Sequence, residues 1–161
     1  MRFFKEKELC CKCCGQLPPL ARENMEALVE NVLDPLRERY GKPIVVNSGY
    51  RCAKHNREVG GVTQSQHLVG EAADIKPTTN CTRSSSARLL PKGRKNFTNE
   101  LARLKQIIIE SKQFDQLIVY PTFLHVSWKR PSTGSGTNRQ QILRKVGNGY
   151  RPVTRKEVLA L

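Results

Sequence analysis

The ten residues at positions 65–74, SQHLVGEAAD, constrain this chain more than any other stretch. They set His67, one of 3 histidines in the sequence, shortly before Asp74, with only glycine or alanine at positions 70, 72 and 73. The run EAADIK reads as a strand in which alternation puts Ala73 and Ile75 on one face and Asp74 on the other. Gly70 lets the chain turn sharply just before that strand, and the two alanines keep bulk away from anything the aspartate holds. A second run, FLHVSW at 123–128, repeats the pattern. Leu124, Val126 and Trp128 share one face there, while Phe123, His125 and Ser127 share the other. Two strands therefore present Asp74 and His125 on their less apolar sides, and His67 stands at the entrance to the first.

Periodicity predicts helices around these strands. From Ala21 to Tyr40 the residues Met25, Leu28, Val29, Val32, Leu33, Leu36 and Tyr40 recur at helical spacing, and Gly41 follows as a stop. KPIVVNSGYR predicts a short strand over 44–46 that runs into a turn, and CAKHNREV a short helix. Residues 77–97, rich in Ser, Thr, Pro and basic residues, read as a long exposed loop, an insertion or a lid. A helix over 98–112 buries Leu101, Leu104, Ile107 and Ile108, and QLIVY then predicts a strand joined to FLHVSW through Pro121 and Thr122. RPSTGSGTNR reads as a flexible basic loop, and beyond Gln140 the pattern is too weak to assign elements. The expected organisation is one domain over 1–161, with its core at 20–128, a basic loop insertion at 77–97 and a basic tail at 129–161.

A hydrophobic fraction of 38% with 9 prolines fits an α+β protein. No run approaches the roughly 18 apolar residues that a membrane span needs. Charges interrupt MRFFKEKELC where a signal peptide would be apolar, so the chain is expected to have no signal peptide and to be cytoplasmic as synthesised. The net charge of +14 sits in the second half: 11 Lys/Arg face 10 Asp/Glu over 1–75, but 17 face 4 over 76–161. Such asymmetry attracts a polyanion, either nucleic acid or an anionic cell wall. Aromatics are only 6% and no nucleic-acid-binding motif is recognised, so nucleic acid is the weaker choice. Of 6 cysteines, Cys10, Cys11, Cys13 and Cys14 crowd into CCKCC. A zinc ribbon needs a second close pair downstream, and only the isolated Cys52 and Cys81 are left, so reduced, free or partly buried thiols are expected.

Two histidines and an aspartate supply the donors of an open zinc site, with three protein ligands and a fourth tetrahedral position for water. His55 stands on a surface helix beside Asn56, which leaves His125 as the candidate third ligand. On spacing alone, a hydrogen-bonded sheet histidine accounts for the same residues. SQHLVGEAAD, however, fits S-x-H-x-x-G-x-A-x-D at every fixed position, through Ser65, His67, Gly70, Ala72 and Asp74. LDPLRERYGKPIVVNSGYRC, HNREVGG, FDQLI and LHVS agree in order. Over residues 20–128 the chain resembles the zinc D-alanyl-D-alanine carboxypeptidase and peptidoglycan endopeptidase family, whose fold is shared by the hedgehog signalling domain.

The resemblance implies a small antiparallel sheet with helices packed on one side and a zinc cleft on the other. It implies Zn2+ ligation by His67, Asp74 and His125, and places Arg51 in the cleft, where a guanidinium can hold a developing oxyanion or a substrate carboxylate. Ser65 is a further candidate for substrate contact. Members of the family usually carry a glutamate three residues before the last zinc histidine to move protons. This chain has Thr122 there. Neither Thr122 nor Tyr120 is a base at neutral pH, so Asp115 is expected in that role, with Glu71 as the alternative. The implied function is zinc-dependent hydrolysis of peptidoglycan stem-peptide bonds involving D-amino acids, as carboxypeptidase or endopeptidase. The enzyme is expected to be a monomer released by lysis in a phage or prophage setting, its basic half holding anionic wall polymers. The alternative is a catalytically silent zinc-containing binding module of the same fold, with a nucleic-acid binder last.

Overall fold

Burial fixes how the central strands must pair. In the computed structural model, which describes residues 1–78, 91–131 and 137–160, β2 (Ala72–Pro77) runs antiparallel to β4 (Leu124–Ser127). Ala73 stands opposite Val126 and Ile75 opposite Leu124, all of them buried. A slip of one residue would turn these side chains to the other face, and each large one would forfeit about 2 kcal/mol of burial. The same register sets Asp74 opposite His125.

The other strands are β1 (Ile44–Ser48), β3 (Gln116–Val119), β5 (Gln141–Val146) and β6 (Gly149–Pro152). Together the six form one sheet in the order β1-β2-β4-β3-β5-β6. All neighbours are antiparallel except β3 and β5, which run parallel. The expected small antiparallel sheet is thus a mixed sheet of six strands. After β4 the chain returns to the starting end of β3, where Gln141 N–H donates to the Asp115 carbonyl at 2.9 Å, so β5 must run in the same direction as β3.

The amphipathic stretch expected over 21–40 is a continuous helical run built from α2 (Pro19–Leu28), one wide π turn (Val29–Leu33) and α3 (Asp34–Tyr40). Pro35 explains the wide turn: it lacks an N–H and its ring crowds the carbonyl one turn back. Asp34 N–H instead reaches back to the Val29 carbonyl. Met25, Leu28, Val29, Val32, Leu33, Leu36 and Tyr40 are all buried, as their spacing predicts. The later long helix, α5, spans Pro91–Ser111 and so starts earlier than the expected residue 98. A proline suits the first helical position because its missing N–H has no partner to lose there. Of the stretch expected as a loop at 77–97, residues 79–90 lie outside the described residues and 91–97 are helical. Leu101, Leu104, Ile107 and Ile108 are buried, so the helical face itself was read correctly.

Both ends of the chain join this core. Phe4 and Leu9 from the start pack in the same apolar cluster as Ile142, Val153 and Val158 from the end, beyond the core limits of 20–128. A short α1 (Glu6–Leu9) and a closing α6 (Arg155–Leu159) complete the helices described here, with α4 (Ala53–Glu58) following β1. Thr154 and Glu157 form a reciprocal capping box at the start of α6. Among the described residues, no helix is long and apolar enough to cross a membrane.

Candidate active site

Ser48, Asp74, His125, Ile118 and Leu143 form one row across β1, β2, β4, β3 and β5, each the cross-strand partner of the next. Side chains of directly paired residues share a face, so the row lies opposite the one carried by Ala73, Leu117 and Val126. The polar members of the row, Ser48, Asp74 and His125, are all buried.

His67 reaches the row from a single 3-10 turn, Gln66–Val69, that closes at Gly70. Gly70 has φ 77°, and a β-carbon there would lie 2.2 Å from the Ala21 carbonyl oxygen, so both its backbone and its space demand glycine. The Gly49 carbonyl accepts a 2.7 Å hydrogen bond from His67 Nδ1, which leaves Nε2 with a bare lone pair. That Nε2 lies 3.2 Å from Asp74 Oδ1 and 3.1 Å from His125 Nδ1, and the last two atoms are 3.0 Å apart. Zinc binds nitrogen and oxygen at about 2.0–2.2 Å, so the edge of its coordination tetrahedron is about 3.4 Å. The triangle of donors has nearly that size, and two imidazoles with an aspartate are a donor set that zinc accepts.

Electrostatics favour the protonation states that a metal needs. Burial holds His67 below its usual range, which keeps it neutral despite the nearby Asp74. Burial opposes ionisation of Asp74, but the imidazoles of His125 and His67 beside it outweigh burial and hold the carboxyl well below the usual carboxylate range. Arg51 pairs through Nη2 with Asp74 Oδ2, donates from Nε to Ser48 Oγ at 2.8 Å, and gives its backbone N–H to the His67 carbonyl at 3.0 Å. One carboxylate oxygen is therefore held by the guanidinium while the other faces the histidines.

These groups form the floor of a cavity of about 870 Å³. One wall is the loop with Gly60, Gly61 and Ser65, and another carries Tyr120 and Phe123, whose rings stack at 4.2 Å. Lys129, Arg139, Lys145 and Tyr150 close the third side. The Tyr120 and Tyr150 hydroxyls are 3.0 Å apart. Among the described residues, Asp74 is the one acidic residue in this lining.

His67, Asp74, His125, Arg51 and Ser65 thus meet at one cavity, while the two carboxylates expected as proton carriers stand elsewhere. Asp115 is fully buried and takes part in a different network. Its Oδ1 accepts from the Arg139 N–H at 3.0 Å and from Nε at 2.9 Å, and its Oδ2 accepts from Nη2 at 2.6 Å and from Gln66 Nε2 at 3.0 Å. Burial pushes its carboxyl up, but the bonds from Arg139 and Gln66 win and hold it below the usual range. A carboxylate so occupied is a clamp between β3, the Gln66 turn and the segment leading to β5. Glu71 is buried as well, its carboxyl pushed up by burial against the opposing bond with Gln66, and it is not part of the lining. Thr122 is exposed in the turn before β4. Tyr120 does line the cavity, but burial pushes its hydroxyl above the ordinary range, so it is no base at neutral pH.

A model of the peptidase M15 family matches residues 2–117. The chain belongs to this family. The zinc D-Ala-D-Ala carboxypeptidase of Streptomyces albus G is 46% identical over 44 residues, 27% of this chain. That match spans 17% of the length of the Streptomyces protein. The M15 match begins at residue 2, so the cysteine-rich start belongs to the family region, beyond the limits expected from the motifs. It stops before His125, and the third donor of this M15 chain is placed by the β2–β4 register instead.

Sequence reading weighed Tyr120 only as a base and missed Lys145, Tyr150 and Arg139 as cavity residues. These three come from the segment beyond β4, and only the parallel pairing of β5 with β3 carries them over the site. Gln66 was legible as a neighbour of His67, but nothing in the sequence pointed it at Asp115.

Proposed function

We propose that this M15 chain hydrolyses peptidoglycan stem-peptide bonds that involve D-amino acids, with a zinc ion held by His67, Asp74 and His125. The observation that carries the reading is the convergence of His67 Nε2, His125 Nδ1 and Asp74 Oδ1, at 3.0–3.2 Å from one another, on the floor of a large open cavity. A zinc ion at these donors would supply an activated water near neutral pH and a Lewis acid for the scissile carbonyl.

The chain's own residues do the remaining work. The Gly49 carbonyl fixes the His67 tautomer so that Nε2 points its lone pair at the centre. Arg51 occupies Asp74 Oδ2, which orients Oδ1, and the guanidinium stands in the cavity wall, where it can hold an oxyanion or a substrate carboxylate. Ser65 lines the same cavity, where its hydroxyl can contact a peptide. Lys129, Arg139 and Lys145 give the cavity a cationic side suited to the carboxylates of a wall peptide. Membership of a peptidase family and the local similarity to a protein named as a zinc D-Ala-D-Ala carboxypeptidase support the same substrate class.

One observation favours a second reading, a zinc-bearing module that binds wall peptides without cutting them: among the described residues Asp74 is the one side-chain carboxylate in the lining, and it is committed to the metal donors and Arg51. Digestion of purified peptidoglycan with mass spectrometry of the released fragments decides between the two. Cleavage fragments that require His67 support the hydrolase. Retention on peptidoglycan with no fragments released overturns it and establishes the binding module.

A further inference from the structure

The cysteine run, expected to hold reduced, free or partly buried thiols, forms a second convergent group. Cys11, Cys13 and Cys14 lie in the turn after α1, and Cys52 is the N-cap of α4, 38 residues after Cys14 in sequence. Their four sulfur atoms all lie within 4.8 Å of one another. Cys11 Sγ is 3.5 Å from Cys13 Sγ, and Cys13 Sγ is 3.4 Å from Cys52 Sγ. With zinc–sulfur bonds of about 2.3 Å, sulfurs in a tetrahedral site are about 3.8 Å apart. A disulfide would employ two of the four; a single tetrahedral ion employs all of them. Two backbone amides already point at these sulfurs, Cys52 N–H at Cys11 Sγ (3.3 Å) and His55 N–H at Cys52 Sγ (3.4 Å), the kind of outer-shell donor that stabilises metal-bound thiolate. Cys10 is excluded: it packs with Leu17 and Ala21 in a separate apolar cluster.

We propose that Cys11, Cys13, Cys14 and Cys52 bind one zinc ion in a closed, structural four-cysteine site, distinct from the His67, Asp74 and His125 centre. Binding replaces the thiol protons, which pass to solvent, and no oxidant is involved. Four protein ligands leave no position for water, so this ion holds structure and takes no part in hydrolysis. Its place in the fold gives it a purpose. Tyr50 N–H donates to the Leu9 carbonyl at 2.8 Å, and a β-carbon on Gly49 would lie 2.4 Å from that same oxygen. The start of the chain is thus pressed against the 49–52 turn, which supplies both the Gly49 carbonyl that orients His67 and the Arg51 guanidinium that holds Asp74. An ion joining Cys11, Cys13 and Cys14 to Cys52 adds a second fastening between the same two segments.

The test is metal stoichiometry on the full chain, purified under reducing conditions with zinc supplied. Wild type should hold two zinc equivalents, and His67→Ala should hold one. An organomercurial, which displaces metal from thiolates, should release one equivalent from both proteins. Cobalt loaded into His67→Ala should show intense thiolate-to-cobalt charge-transfer bands, and Cys14→Ser and Cys13→Ser should weaken or abolish them. The mercurial and cobalt measurements need no cysteine variant, so a folding failure in those variants leaves the outcome decided. A wild type with a single equivalent that His67→Ala removes, with nothing released by the mercurial, overturns the proposal. So does an intact mass showing a disulfide among these cysteines in the freshly purified protein.

Discussion

His67, Asp74 and His125 meet on the face of a sheet, whereas Cys11, Cys13, Cys14 and Cys52 meet between a turn and a helix cap. The first set is wholly buried, offers nitrogen and oxygen, and opens onto a cavity; the second is half exposed and offers only sulfur. Three ligands with a free side allow chemistry on a bound molecule, while four thiolates close the coordination sphere and allow only cross-linking. The difference in scaffolding follows from the same division. Precise placement at the sheet comes from register, in which Asp74 and His125 cannot shift without exposing Ala73, Ile75, Leu124 and Val126. The cysteine group has no sheet to position it, and Cys13 and Cys14 are exposed, so the ion itself must supply the order.

Breaking the sheet group should have the largest effect. His67→Ala or Asp74→Ala is expected to reduce hydrolysis by more than about a thousandfold, since a zinc ion at these donors would supply the activated water, and to remove one equivalent of zinc by elemental analysis while the proposed thiol-bound equivalent stays. Loss of both equivalents would mean the two groups are not independent. Arg51→Lys sharpens the comparison next, because lysine keeps a charge but cannot bond Asp74 and Ser48 together. A loss of about 10- to 100-fold in activity or zinc affinity is expected, the scale of removing a group that orients a metal ligand. Unchanged kinetics and unchanged chelator competition would remove Arg51 from the site.

Arg139→Ala tests how the end of the chain is fastened to the site. It strips the guanidinium from a buried Asp115 and should lower stability by about 2 kcal/mol in denaturant unfolding at neutral pH. Because the folded Asp115 carboxyl lies below its ordinary range, this contribution is full above the unfolded value of about 4 and disappears as pH falls through the folded value. The gap between wild type and variant should therefore close on acidification; a gap that widens would refute the clamp. Asp115→Asn separates the clamp from the expected base. A similar stability loss with turnover within about threefold fits the clamp, and a loss of about a hundredfold in rate with zinc and fold intact fits general-base catalysis. The smallest effect belongs to Tyr120→Phe, which removes a hydroxyl held above its ordinary range by burial. Turnover should change by less than about threefold, because such a phenol is no base at neutral pH.

Much of this was legible in residue order. The apolar spacing from Met25 to Tyr40 and the alternation in EAADIK and FLHVSW carried the main helical run and both site strands, because each depends on contacts a few residues apart. The wide turn at 29–33 was not visible as such, although Pro35 was its cause. The Thr154 and Glu157 capping box was present in the sequence and could have located α6. The cysteines show the opposite case: looking for two close pairs hides a site made from three neighbours and one distant residue.

The sequence by itself determined which residue types could meet a metal and which strand faces they occupy, since alternation is a local property of extended chain. It could not determine partners. That Asp74 stands opposite His125, that β5 enters parallel to β3 and brings Lys145 over the cavity with Tyr150 following on β6, that Asp115 turns to Arg139, and that Cys52 closes on Cys11 are all contacts between segments far apart in sequence. Such pairings are chosen by whole-molecule burial, in which the register that hides the most apolar surface wins, and the polar side chains meet where that register leaves them.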